Sequence, residues 1–89
     1  MMKRNDVYRL LDGERDYQIE RHKQHVFPHD DENHSVADWL VYMDEHLTRA
    51  KQAVYMLNFN EAMAQVRKAT ALGVACMEFK DTPPRDGSL

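Results

Sequence analysis

Three stretches of this chain repeat apolar residues at helical spacing, and none alternates with the period of two that marks a strand. The first covers residues 5–20. Val7, Leu10, Leu11 and Tyr17 recur along it, with Glu14 set into the same stripe. Asn5 or Asp6 can cap its start. Gly13 weakens the middle by roughly 1 kcal/mol relative to Ala, which leaves the segment open to a bend or break there. Residues 22–34 then show no period at all. They hold Pro28, the acidic run Asp30-Asp31-Glu32 and four of the five histidines, and read as a loop long enough to have a function of its own.

The second helix has the strongest signal. Ser35-Val36-Ala37-Asp38 resembles a capping box with Asp in place of Glu. Val36, Trp39, Leu40, Met43, Leu47, Ala50, Val54 and Leu57 form its apolar stripe. Val41, Tyr42, Ala53, Tyr55 and Met56 are apolar on other faces, which predicts a second buried face for a partner subunit. After a turn at residues 57–60, Asn58 can cap a third helix with Glu61 at the third position. That helix is predicted to run to about Phe79 on a stripe of small residues, Ala62, Val66, Ala69, Gly73 and Cys76, whose spacing lets two helix axes approach closely. A short turn between two long helices implies an antiparallel hairpin. The tail, residues 81–89, carries Pro83-Pro84 and Gly87 and is expected to be flexible. The expectation is therefore an all-α chain: one helical domain over residues 1–80, made of a short N-terminal helix and a long helical hairpin, assembled into an oligomeric bundle.

Length and composition support the oligomer. A chain of 89 residues is one domain and buries only about 60–65% of its unfolded surface, so its isolated core is marginal. A single cysteine excludes an internal disulfide. Self-association, as a dimer or tetramer, is the remaining route to stability. A net charge of −3 argues against bulk nucleic-acid binding, which needs a basic face. No apolar run reaches the roughly 20 residues that span a bilayer, and the first residues lack a signal peptide's apolar core, so a cytoplasmic location without membrane contact is expected.

Candidate chemistry is sparse. Asp44 and Glu45 sit side by side on the second helix, about 100° apart around its axis. They can flank a cleft as oxygen ligands to Mg²⁺, or form a solvated edge paired with Arg49 or Lys51. Arg67 and Lys68 on the third helix, joined by Arg15 and Lys51, can hold a phosphate through charge-assisted hydrogen bonds; equally they can pair with Glu61, Glu45 or Asp44. The histidines lack structural-zinc spacing and read as surface residues that titrate near neutrality. Cys76 reads as an inert thiol on the small-residue stripe.

Glu14-Arg15-Asp16-Tyr17-Gln18, His34, Trp39-Leu40, Asp44-Glu45 with Ala50, Leu57-Asn58-Phe59, and Gln65-Val66 with Ala69, Ala71, Ala75 and Glu78 together resemble the small MazG-like proteins of bacteriophages. That family resembles the all-α nucleoside triphosphate pyrophosphohydrolases, oligomers that hold Mg²⁺ with a Glu-Glu-x-x-Glu motif on one helix and Glu-x-x-Asp on the next. The resemblance implies that Asp44 and Glu45 match the first two acids. Thr48 stands at the third, Ala62 at the fourth and Gln65 at the last, with Glu61 one position early. It thus implies a binding protein without efficient catalysis, taking a nucleotide, a cyclic nucleotide or a similar signal in an oligomer cleft through Arg15, Tyr17, Arg67 and Lys68. A working Mg²⁺-dependent pyrophosphohydrolase and a purely protein-binding helical module are the alternatives.

Overall fold

A computed structural model describes residues 1–24 and 33–86. It contains three helices, α1 (Arg4–Gln24), α2 (Val36–Tyr55) and α3 (Phe59–Lys80), and no strand among the described residues. Most of the expected 22–34 loop lies outside them.

The N-terminal helix is not short. At 21 residues it matches α2, and it runs through Gly13 without interruption. The propensity cost at one glycine is small against the contacts that hold α1 on both sides of it. Leu10 and Leu11 border a groove on α3. Beyond the glycine, Glu14, Arg15 and Gln18 each bond to α3. The same contacts carry α1 past residue 20 and place His22 on the helix rather than in a loop.

Local chemistry sets the other boundaries. The Ser35 hydroxyl accepts from the Asp38 N–H at 3.1 Å, while Asp38 accepts from the Ser35 N–H at 2.8 Å, so the capping box is complete. The Asn58 side chain accepts from the Glu61 N–H at 3.2 Å to start α3. Between these helices Leu57 takes φ 60, a left-handed conformation that turns the chain in residues 56–58.

Both α1 and α2 pack on α3, which is the centre of the molecule. Two rows of alanine explain why. Ala62 and Ala69 are buried on the side of α3 that bears Gln65, the partner of His46 on α2. Ala71 and Ala75 are buried on another. Trp39, near the start of α2, stacks on Phe79, near the end of α3, with ring centroids 6.0 Å apart. Among the described residues Trp39 is the largest buried side chain, and the other buried apolar residues are all alanines.

The contact face of α2 is rotated from the expected stripe. Trp39, Ala50 and Ala53 are buried, whereas Val36, Leu40, Leu47, Val54 and Leu57 are exposed. On α3, Val66 is likewise exposed, and Gln65 takes the buried position beside it. On α1, Glu14 and Arg15 are buried while Val7, Leu10 and Tyr17 are exposed. Close approach to a row of alanines favours small or stacking side chains at the contact and leaves larger ones outside.

Candidate functional site

The face of α1 that meets α3 is polar, and polar groups from all three helices converge there. Arg67 Nε donates to Glu14 at 2.7 Å. Gln18 Nε2 donates to the Lys68 carbonyl at 3.2 Å. The Gln18 Oε1 atom is buried and accepts no bond among the described residues. From α2, His46 Nδ1 lies 2.7 Å from Gln65 Oε1, and Gln65 Nε2 donates to Glu61 at 2.8 Å. An ionised Glu61 only accepts, so Gln65 must present its NH₂ there and its oxygen to His46. His46 therefore carries a proton on Nδ1, and in the neutral ring Nε2 is a bare acceptor.

Two adjoining clefts open beside this network. One, of ≈ 430 Å³, is lined by Glu14, Tyr17, Gln18, Arg21, His22, His46, Lys68 and Leu72. The other, of ≈ 530 Å³, is lined by Arg9, Leu10, Gly13, Glu14, Tyr17, Arg67 and Lys68. Both volumes fall in the usual range for small-molecule sites, about 300–1,000 Å³. Glu14, Tyr17 and Lys68 border both. The cations around them are Arg9, Arg21, Arg67 and Lys68, against the single carboxylate of Glu14. Arg67 is neutralised by Glu14, and Arg9 pairs with Asp6 at 3.5 Å. Arg21 and Lys68 have no ion-pair partner among the described residues.

The structure brings together three of the four residues expected to contact an anion: Tyr17, Arg67 and Lys68. Arg15 is separate. It donates to Glu78 at 3.3 Å and lies over Phe79, at the other end of α3. One helical step between Glu14 and Arg15 turns their side chains to different parts of α3, which adjacency in sequence conceals. Arg21 and His46 are the additions. Arg21 follows Tyr17 by four residues and so shares its face, a signal hidden when the helix is ended at residue 20.

Asp44 and Glu45 are exposed, and Arg49 holds Glu45 at 2.6 Å one turn away. Thr48 is exposed, Ala62 is packed in the core and Gln65 is engaged with His46 and Glu61. Among the described residues no three or more His, Cys, Asp or Glu side chains converge as a metal site. His25 and His29 lie outside those residues. No helix among the described residues is long and apolar enough to cross a membrane. Compared with known proteins, the chain matches no family model, no curated protein and no solved structure.

Proposed function

We propose that the protein is a helical binding module, without efficient catalysis, that takes a phosphate-bearing ligand of nucleotide size in the clefts beside α1. One observation carries this reading: a chain with net charge −3 gathers four cations and one carboxylate around two adjoining clefts, and two of those cations are unpaired among the described residues. Arg21 and Lys68 supply charge-assisted donors for a phosphate. Tyr17 supplies an exposed aromatic face on which a base can stack. The His46 ring and the Gln18 oxygen add further polar groups beside the cleft. The cleft forms within one chain, so binding does not require a site shared between subunits. The resemblance to small MazG-like phage proteins supports a nucleotide or cyclic nucleotide as the ligand.

Titration calorimetry with AMP, ATP, a cyclic dinucleotide and inorganic tripolyphosphate, each with and without Mg²⁺, tests the reading. Saturable binding that Lys68→Met and Arg21→Met each weaken at least tenfold is expected. Heats indistinguishable from dilution for every probe would overturn it. Pyrophosphate release abolished by Asp44→Asn would instead favour the Mg²⁺-dependent hydrolase.

A further inference from the structure

An apolar groove of ≈ 360 Å³ lies between the N-terminal halves of α1 and α3. Met2, Val7, Leu10 and Leu11 line it on the α1 side, and Met63 and Val66 on the α3 side. Leu10, Met63 and Val66 are all exposed to solvent. Thr70 also borders the groove, but its hydroxyl donates to the Val66 carbonyl at 2.7 Å within α3. The groove adjoins the larger basic cleft. Leu10 and Arg67 line both, and Arg9 and Lys68 are the other cations of that cleft. Arg67 uses Nε on Glu14, and its terminal nitrogens make no bond among the described residues. An apolar slot therefore meets cationic donors along one shared edge.

We propose, resting on the reading of this cleft as an anion site, that groove and cleft together take a single-chain phosphate monoester. The hydrocarbon chain lies along Leu11, Met63 and Val66, and the phosphate meets Arg67 and Lys68. Three observations select that occupant. Charge divides the two chambers as it divides an amphiphilic anion, with the cations at their junction and apolar walls beyond it. Those walls offer little to the polar edges of a sugar or base, whose desolvation there would go uncompensated. Finally, Met2 and Met63 are unbranched thioethers that adapt to a chain without a fixed shape. A bilayer surface fits less well: it takes apolar side chains projecting from one plane, whereas these walls come from two helices on either side of a slot.

Titration calorimetry on the full chain tests the assignment. The probes are butyl phosphate, octyl phosphate and octyl glucoside, each below its micelle-forming concentration, and inorganic tripolyphosphate. Each methylene that enters the groove should tighten binding about two- to fourfold, so octyl phosphate should bind at least tenfold tighter than butyl phosphate. Octyl glucoside, which lacks the anion, should bind at least tenfold more weakly than octyl phosphate. Met63→Gln alters a side chain that is already 63% exposed. It should cut the octyl-to-butyl ratio at least threefold and leave the affinity for tripolyphosphate unchanged. Lys68→Met should weaken octyl phosphate and tripolyphosphate alike. Equal affinity for the two alkyl phosphates would overturn the proposal, as would an octyl-to-butyl ratio that Met63→Gln leaves unchanged. If tripolyphosphate still binds in either case, the anion cleft stands and only the groove assignment falls; if no phosphate probe binds, both fall. Sedimentation with phosphatidylglycerol vesicles, without binding of dispersed octyl phosphate, would assign the face to a membrane and likewise overturn it.

Discussion

Glu14 and Arg67 meet at 2.7 Å across 53 residues of chain, with the carboxylate buried and the guanidinium still partly in solvent. The pair fastens α1 to α3 at the border of the basic clefts. Removing one partner of a buried pair costs more than removing both, because the survivor is left desolvated and uncompensated. Arg67→Met should therefore lower stability by about 2–3 kcal/mol, whereas adding Glu14→Gln to it should recover part of the loss. Chemical denaturation of both single variants and the double variant checks the sign of the coupling.

Asp38 answers to pH. The Ser35 N–H, then the Ser35 hydroxyl, hold its carboxyl below the ordinary carboxylate value. A depressed folded value means that its capping contribution is complete above the unfolded value of about 3.9 and is lost as pH falls through the folded one. Thermal melts from pH 7 down to pH 2 should lose stability in that acid window, and Asp38→Asn should flatten that part of the profile. Ser35→Ala should cost about 1 kcal/mol at neutral pH.

Trp39 is the anchor of a small core. It is 3% exposed, stacked on Phe79 and met edge-on by His34 at 5.4 Å. Trp39→Ala should cost about 3–5 kcal/mol, the usual range for a large buried aromatic. Far-ultraviolet circular dichroism at ambient temperature should show substantial loss of helix.

Gly13 offers the opposite effect. It is an exposed interior position of α1, and a Cβ built there meets nothing within 4 Å. Gly13→Ala should stabilise the chain by about 0.5–1 kcal/mol. A loss on denaturation would mean that α1 bends there in solution.

The tautomer of His46 is a direct readout of the cleft network. Nitrogen chemical shifts should show the neutral ring protonated on Nδ1 in the free protein. Glu61→Ala frees the Gln65 amide to turn and should give a mixture of both tautomers.

The helical class was legible from local pattern because helix period and caps are local properties. Ser35 with Asp38, and Asn58 with Glu61, bond within three residues of one another, so the starts of α2 and α3 could be read directly from the chain. The faces could not be read in this way. α2 is apolar on several sides, and periodicity alone does not say which side meets a neighbour. The alanine rows of α3 decided it, drawing in Trp39, Ala50 and Ala53 and leaving Leu47 and Val54 outside. The continuity of α1 also came from tertiary contact, through Glu14, Arg15 and Gln18, each of which bonds a residue at least 50 positions away. The candidate site divides in the same way. Residue types singled out Arg67 and Lys68, with Arg15, as groups suited to an anion, and the family resemblance added Tyr17. Only packing separated Arg15 from them and added Arg21 and His46, because a cleft depends on how helices cross, and crossing is fixed by side chains distant in the chain.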